Sequence, residues 1–280
     1  ACTYISYAAS YFIDQINLSA IVGADFPASE IEALKARGVN LEGLAIKEDG
    51  LSFFWEGKYH LNMNSRDTIT TDLNVLADFD PVLPESYKSS AYVMLGNLTP
   101  AIQKKVLDQL DGSQKLIAMD TMNFWMDIAM EELKEVISRV DLLTINDEEA
   151  RQLSGEYSLV KAAQKIFEMG PKFLVIKKGE HGALLFHKND IFFAPAMPLA
   201  EVFDPTGAGD TFAGGFSGFI TQSENVSFEN MKTAIIQGSN LASFCVEKFG
   251  TERMTNLSRN EVADRLKQFK ALTQFEIELT

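Results

Sequence analysis

Residues 204–212 read Asp204-Pro205-Thr206-Gly207-Ala208-Gly209-Asp210-Thr211-Phe212, a proline turn and three small residues followed by a carboxylate. The small side chains at positions 207–209 leave the backbone N–H groups accessible. Residues 210–220 are compatible with a helix, so these amides are expected where unpaired donors and the positive end of the helix dipole attract phosphate. The stretch therefore predicts an anion-binding site at the start of a helix, formed by Gly207, Ala208 and Gly209.

Asp210 is the carboxylate that closes this stretch, and the same pattern places it beside the bound anion. A carboxylate there can accept the proton of a hydroxyl group that attacks a phosphoryl group. A weak base suffices, because positioning and charge stabilisation supply most of the catalysis in phosphoryl transfer. The plain alternative is a capped helix after a glycine-rich turn, in which Asp210 only stabilises the helix dipole.

Other phosphate, nucleophile and metal motifs do not fit the chain. A dinucleotide-binding fingerprint that starts at Gly207 needs a third glycine where Phe212 stands, and the Gly-x4-Gly-Lys-Ser/Thr loop is absent from the sequence. A nucleophile elbow around Ser217 fails because Phe219 replaces its last glycine. The histidines and cysteines have no zinc spacing; they are His60, His181, His187, Cys2 and Cys245. Any metal chemistry must therefore use oxygen ligands.

The composition indicates a globular enzyme. The chain has 280 residues, of which 46% are hydrophobic, enough for one α/β domain with or without a small appendage. A net charge of −14 argues against nucleic acid or an anionic membrane as a partner. The two cysteines form no disulfide framework, and no apolar run approaches the roughly 18 residues that span a bilayer. We therefore expect a cytoplasmic protein.

Short apolar runs alternate with amphipathic segments from about residue 90 onward, which is the pattern of a parallel sheet. The predicted strands are 92–96, 115–120, 142–146 and 173–177, and residues 100–110 form one of the intervening helices. Ligands gather at the carboxyl ends of such strands. The polar residues and glycine expected at this common edge are Asn97, Asp120, Asn123, Asn146 and Gly179.

Residues 40–75 differ from the rest, because three short strand candidates lie close together there. These are 41–46, 51–56 and 59–64, with turns at Asp49-Gly50 and Glu56-Gly57. A sheet this thin must rest on another part of the protein. We therefore expect residues 40–75 to form a β lid over a core made of residues 1–39 and 76–280.

Asp204 to Phe212 closely resembles the signature of the ribokinase-like (PfkB) carbohydrate kinase family. The resemblance extends weakly to Gly23-Ala24-Asp25 and to residues 34–39. It implies an α/β fold, a three-layer sandwich with a mostly parallel central sheet and a small β-sheet lid. It also implies ATP and Mg²⁺ as cofactors, with Asp210 as the catalytic base and Gly207 to Gly209 as the anion hole.

Asn146-Asp147-Glu148-Glu149 follows a predicted strand, and its spacing is that of an ordinary helix capping box. The family carries an Asn-x-x-Glu motif associated with Mg²⁺ and phosphate, which this segment matches at Asn146 and Glu149. The resemblance thus makes Glu149 a Mg²⁺ ligand, through water. Both roles can coexist.

Residues 178–183 join two strands, and two glycines around two polar residues are typical of a hairpin turn. In the family a Gly-x-x-Gly turn at this point borders the nucleotide, which implicates Lys178, Gly179 and Gly182.

Residues 238–251 are predicted to form a helix that ends near Phe249-Gly250-Thr251. By resemblance this helix borders the adenine pocket, with Asn240 as a contact.

The resemblance implies further ligand contacts. The Gly250 backbone, with Asp204 and Thr206, could bind a monovalent cation such as K⁺. On the substrate side Asp120-Thr121-Met122-Asn123 partly matches an Asp-x-Asn segment, but Phe124 and Trp125 stand where an arginine is expected. The residues assigned to the substrate are Tyr4, Asn97, Asp120 and Asn123.

The start of the chain also departs from the family pattern. Tyr4 stands where many members have asparagine, and the double glycine and first strand of the family would precede Ala1. We therefore expect a segment upstream.

The sequence thus predicts an ATP-dependent kinase that phosphorylates a hydroxyl of a sugar or sugar-like molecule. Two alternatives stay open, a nucleoside kinase on the same fold and a weakly active nucleotide-binding regulatory protein. The aromatic residues Phe53, Phe54, Trp55 and Tyr59 are expected to close over the substrate. Alternatively they form a hydrophobic face packed on a neighbour, and two lids that pack together make a homodimer.

Overall fold

The protein is described by a computed structural model that covers residues 1–274 and 276. The strands in this part of the chain are β1 Ile16–Gly23, β2 Val39–Lys47, β3 Phe54–Tyr59, β4 Arg66–Asp72, β5 Tyr92–Leu95, β6 Leu116–Asp120, β7 Leu142–Asn146, β8 Phe173–Lys177, β9 Ala183–His187 and β10 Asp190–Ala194. The helices are α1 Cys2–Ala9, α2 Ala28–Ala36, α3 Glu85–Lys88, α4 Pro100–Leu107, α5 Asn123–Ile128, α6 Met130–Ile137, α7 Asp147–Ser154, α8 Leu159–Phe167, α9 Ala208–Ser223, α10 Phe228–Cys245, α11 Glu252–Thr255 and α12 Arg259–Thr273.

The central sheet has six strands in the order β10-β9-β8-β7-β6-β5. Strands β5 to β8 run parallel, whereas β9 and β10 are antiparallel to their neighbours. The strands predicted at 92–96, 115–120, 142–146 and 173–177 coincide with β5 to β8 to within one residue. Because these four strands are parallel, their carboxyl ends meet at one edge of the sheet.

Helices cover both faces of this sheet, since both faces of its inner strands are apolar. Along β8, Leu174 and Ile176 pack in one cluster with residues of α6 and α8. The alternate residues, Phe173 and Val175, pack on the other face with Phe216 of α9. Side chains of a strand alternate between faces, so an uninterrupted apolar strand requires a layer on each side. The result is a three-layer α/β sandwich.

A third apolar cluster attaches the amino-terminal part of the chain to the sandwich. It includes Tyr7 of α1, Leu18 of β1, Val39 of β2 and Phe244 of α10. Strands β1 and β2 pair in parallel as a separate two-stranded sheet. The predicted start of the lid at residue 40 therefore lies within β2, Val39–Lys47.

The small antiparallel sheet is a hairpin of β3 and β4, and its strand limits differ from those predicted. We placed a turn at Glu56-Gly57, but β3 continues through these residues with a register irregularity. A Cβ atom at Gly57 would lie 2.2 Å from the Trp55 ring, so the glycine makes room for the indole. The chain reverses between β3 and β4 instead, where His60 and Ser65 share a backbone hydrogen bond.

Two predicted helix limits also change. Helix α4 ends at Leu107 rather than near residue 110. Helix α10 begins at Phe228 and ends at Cys245, so Gly250 lies outside it. Among the helices of residues 1–274, none is long and apolar enough to cross a membrane.

Candidate active site

A broad cavity lies at the carboxyl ends of β5 to β8, where the predicted ligand edge was expected. Every residue that we assigned to the site lines this cavity except Asp204, Asn240 and Gly250. The parallel sheet therefore brings together residues that are up to about two hundred positions apart in sequence.

The loop before α9 has the conformation of a helix N-terminus. Gly207 is the N-cap residue with a φ of 80°, and a Cβ atom there would lie 2.4 Å from the ring of Tyr4. The N–H of Ala208 donates to the carbonyl of Pro205 (3.1 Å), which corrects the prediction of three free amides. Within the described residues, the N–H groups of Gly207 and Gly209 have no acceptor. These two amides are available to an anion.

Asp210 lies in the first turn of α9, directly after Gly209, and its side chain is about one-fifth exposed. It lines the same cavity as the two free amides. A negatively charged side chain in the first turn of a helix interacts favourably with the helix dipole. The site thus combines a carboxylate with two N–H groups that have no acceptor in the described chain.

Asn146 and Glu149 form a complete capping box at the start of α7. Asn146 Oδ1 accepts the N–H of Glu149 (2.8 Å), and Glu149 Oε2 accepts the N–H of Asn146 (2.7 Å). Glu149 is almost fully buried, and burial raises its pKa to about 7, although the Lys177 ammonium acts to lower it. Both residues still line the cavity, so the capping role leaves the ligand role possible.

Lys177, at the end of β8, was missed in the sequence and lies at the centre of the site. Its Nζ is 3.1 Å and 3.2 Å from the two carboxylate oxygens of Asp120. Burial lowers the pKa of Lys177, but Asp120 and Glu149 more than offset this, so its pKa is raised. Since the ammonium contacts both oxygens of Asp120, we take the pair as ionised.

The turn between β8 and β9 has the predicted hairpin form. Lys178 N–H donates to the carbonyl of Gly182 (2.8 Å). Gly182 has a φ of +84°, and a Cβ atom there would lie 2.0 Å from the carbonyl oxygen of Ala194. Only glycine fits at this position, and the backbone of the turn is open to the cavity.

The β3–β4 hairpin reaches the same edge of the sheet. The Thr206 hydroxyl donates to the hydroxyl of Tyr59 (3.3 Å), and the Asn64 side chain donates to Glu180 (2.8 Å). Arg66 lies close enough to Glu149 to act against the rise in its pKa. Neither Arg66 nor Asn64 was predicted as a site residue, and Asn64, which we assigned to a strand over residues 59–64, lies in the turn between β3 and β4.

Three of the predicted substrate residues are held by neighbouring side chains. Asn97 accepts a hydrogen bond from the indole of Trp125 (2.9 Å), and Asn123 donates to Gln152. Asp120 is engaged by Lys177. These contacts fix the orientation of the amides before any ligand is present.

Three predicted residues do not line the cavity. Asn240 is fully buried and donates to the carbonyl of Val262, because α10 packs against α12 at this point, so its assignment as a nucleotide contact is corrected. Asp204 is buried and accepts the N–H of Thr206 (2.9 Å). Gly250 has a φ of +59°, and a Cβ atom built there would lie 4.0 Å from the hydroxyl of Tyr4.

Metal-binding clusters were also sought. In residues 1–274 and 276, no group of three or more histidine, cysteine, aspartate or glutamate residues is placed to hold a metal ion. A divalent cation at this site would therefore have at most two such side chains of the described residues as ligands, and its other ligands would be oxygen atoms of other kinds.

Comparison with known proteins gives the same fold. A cytidine kinase of Thermococcus kodakarensis is 29% identical over 208 residues, 72% of each chain. A solved ribokinase of Arabidopsis thaliana, complexed with ribose and ATP, covers 95% of this chain and 86% of its own at 20% identity, with a TM-score of 0.76. A nucleoside kinase of Burkholderia thailandensis, in complex with inosine, covers 95% and 84% at 19% identity, with a TM-score of 0.74.

The solved structures establish a ribokinase-like fold, as the signature at residues 204–212 indicated. A family model described as pfkB family carbohydrate kinase matches residues 5–257. The chain therefore belongs to the pfkB family of carbohydrate kinases.

Proposed function

We propose that the protein transfers the γ-phosphoryl group of ATP to a hydroxyl group of a sugar or sugar-like small molecule. The observation that carries the proposal is the position of Asp210 in the first turn of α9, directly after the free N–H of Gly209. A base and an anion site then border the same space, as phosphoryl transfer to a hydroxyl requires. Membership of a kinase family supports this reaction class.

In this proposal Asp210 orients the acceptor hydroxyl and takes its proton as the oxygen attacks phosphorus. The N–H groups of Gly207 and Gly209 donate to oxygens of the transferring phosphoryl group, where negative charge is concentrated. Thr206, Lys178, Gly179 and Gly182 line the part of the cavity assigned to ATP. Water is excluded when the site closes, which limits hydrolysis of ATP.

The residues present fit Mg²⁺ bound through water. Oε2 of Glu149 is used in the capping box, whereas Oε1 has no hydrogen-bond partner in the described chain. This oxygen belongs to a carboxylate at the edge of the cavity and suits an oxygen-preferring cation. Mg²⁺ bound with ATP would neutralise charge on the phosphate oxygens.

For a monovalent cation such as K⁺ we propose a site formed by Asp204, Thr206 and the Gly250 backbone. Comparing turnover in potassium and sodium salts tests this site.

A nucleoside is the second candidate acceptor. The cytidine kinase similarity supports it, and so do four aromatic residues that line the cavity on the acceptor and hairpin sides: Phe53, Trp55, Phe124 and Trp125. Aromatic rings can stack on a base, whereas a free sugar needs mainly polar contacts. A third candidate, a weakly active nucleotide-binding regulatory protein, predicts ATP binding without phosphorylation of any acceptor.

We further propose that residues 40–75 act as a lid and that two lids pack together in a homodimer. Phe53, Trp55 and Tyr59 line the cavity, whereas Phe54 and Ile69 are at least half exposed on the hairpin. Exposed apolar side chains on a two-stranded sheet favour a partner surface. Light scattering of Ile69→Lys should report a monomer, with Ile191→Lys on β10 as the control that keeps the dimer. A monomeric unmodified protein would contradict the dimer.

The acceptor is identified by an ATP-turnover assay with Mg²⁺ over pentoses, hexoses, sugar phosphates and nucleosides. A sugar as the best substrate supports the first candidate, and a nucleoside supports the second. ATP binding by calorimetry without turnover on any acceptor supports the third.

A further inference from the structure

Lys177 carries a largely buried ammonium group that the roles assigned so far do not use. Its side chain is 18% exposed, that of Asp120 is 8% exposed, and the two form a hydrogen-bonded ion pair. Glu149 and Asp210 add their charges to those around it. Three carboxylates therefore act electrostatically on a cation that lines the cavity, and one of them, Asp120, contacts it.

The strand register explains where Lys177 points. Phe173 and Val175 of β8 face the layer that contains α9, and Lys177 is the next residue on that side of the strand. The ammonium reaches the start of α9, since a Cβ atom built on Gly209 would lie 3.4 Å from Nζ. Lys177 is thus beside one of the two free amides of the anion site.

A purely structural ion pair is a poor explanation for this placement. Buried ion pairs often stabilise a fold no better than apolar residues of similar volume, because both charges lose hydration. The preceding residues of β8 are all apolar, so an apolar residue at position 177 would continue the strand. The ammonium of Lys177 loses hydration and lies beside free N–H groups. This arrangement suits the binding of a ligand with concentrated negative charge.

We propose that Lys177 is a catalytic residue whose ammonium contacts the transferring phosphoryl group, and that Asp120 is the positioning residue that holds it there. The inference rests on the proposed kinase function. The acceptor oxygen forms a bond to phosphorus, the bond to the leaving oxygen of ADP breaks, and the acceptor proton passes to Asp210. Lys177 keeps its proton throughout and stabilises the charge on the phosphoryl oxygens.

The test compares Lys177→Met with Lys172→Met. Lys172 pairs with Asp141 (2.7 Å) just before the same strand, but its side chain is 69% exposed and it is remote from the cavity. Calorimetry measures the affinity for ADP with Mg²⁺, with and without aluminium fluoride, which imitates the transferring phosphoryl group. Steady-state kinetics give kcat and KM.

Lys177→Met should bind ADP within about threefold of the unmodified protein but lose about 10²- to 10³-fold of the extra affinity given by aluminium fluoride, and a similar factor in kcat. Lys177→Arg should recover part of both, and Lys172→Met should change neither. Two results for Lys177→Met would overturn the inference. In the first, aluminium fluoride adds as much ADP affinity as in the unmodified protein; in the second, the ADP affinity falls by the same factor with and without aluminium fluoride. Lys177 and Asp120 would then form a structural ion pair only.

Two further comparisons keep the inference testable. Removing one charge of a buried pair can prevent folding. In that case the double variant Asp120→Asn with Lys177→Met is compared with Asp120→Asn alone. The double variant should lose more of the extra ADP affinity given by aluminium fluoride. If the unmodified protein binds ADP and aluminium fluoride but phosphorylates no acceptor, the proposed function fails, while the binding comparison still decides the role of Lys177. If it binds no ADP, both proposals fail.

Discussion

The hydroxyl of Thr206 donates a hydrogen bond to the hydroxyl of Tyr59, 3.3 Å away, and joins the β3–β4 hairpin to the loop before α9. A second contact, from Asn64 to Glu180, joins the turn of the hairpin to the turn after β8. The hairpin therefore touches both segments to which we assign ATP. Closure of the hairpin and nucleotide binding are expected to depend on each other.

Tyr59→Phe removes the hydroxyl contact and keeps the ring. Because a neutral hydrogen bond contributes about 0.5–1.5 kcal/mol net, we expect the KM for ATP to rise about two- to tenfold. Steady-state kinetics measure the change, and Tyr157→Phe on the exposed surface is the control. An unchanged KM for ATP would show that the hairpin contact plays no part in binding.

Gly182→Ala tests the backbone of the turn after β8. Gly182 and Gly112 have nearly the same φ, +84° and +85°, but a Cβ atom meets the Ala194 carbonyl at Gly182 and no atom within 4 Å at Gly112. Gly112→Ala should cost about 1–2 kcal/mol of unfolding free energy from its φ alone. Gly182→Ala should cost about 1–3 kcal/mol more, because atoms overlap and because its ψ of −147° lies outside the left-handed helical region. Urea unfolding measures both, and equal losses would refute the close contact.

Asn146→Ala separates the structural and ligand roles of the capping box. Ser258 and Glu261 form a second capping box at the start of α12, away from the cavity. Asn146→Ala and Ser258→Ala should each lose about 0.5–2 kcal/mol of stability, because each removes an N-cap. Only Asn146→Ala should raise the Mg²⁺ concentration needed for half-maximal turnover. If both variants needed the same Mg²⁺ concentration for half-maximal turnover, Asn146 would act only as a helix cap.

The predictions from sequence succeeded where the pattern was local. The apolar runs that form β5 to β8 were recognisable because strands buried on both faces are continuously apolar. The capping box at Asn146 and Glu149 was also correct, since both of its hydrogen bonds join residues three positions apart. The helix start after Gly207 followed from the same kind of local signal.

The failures depended on distant contacts. Lys177 has the appearance of a surface residue beside Lys178, and only its partner 57 positions away, Asp120, explains its burial. Gly57 resembled a turn residue, but it accommodates the Trp55 ring inside a strand. Asn240 resembled a ligand contact, yet α12 covers it. No spacing within the sequence reveals which element covers such a side chain.

Glu261→Gln should give a pH-dependent loss of stability. Hydrogen bonds from Ser258 and Arg253 lower the pKa of Glu261 from 4.5 to about 2. The folded state thus favours the ionised carboxylate, so the stabilisation is complete above pH 4.5 and is lost as the pH falls towards 2. In thermal unfolding, Glu261→Gln should melt below the unmodified protein at neutral pH, and the gap should narrow below pH 4.5. A gap that is constant with pH would contradict the role of the charge.

The central claim is that Asp210 is the base for phosphoryl transfer from ATP to a hydroxyl. The most direct measurement is turnover of ATP with the best acceptor by Asp210→Asn, with calorimetry to verify ATP binding. We predict that kcat falls about 10²- to 10⁴-fold, because general base catalysis is lost, while the affinity for ATP stays within a few-fold. A variant that binds ATP and keeps full turnover would contradict the account.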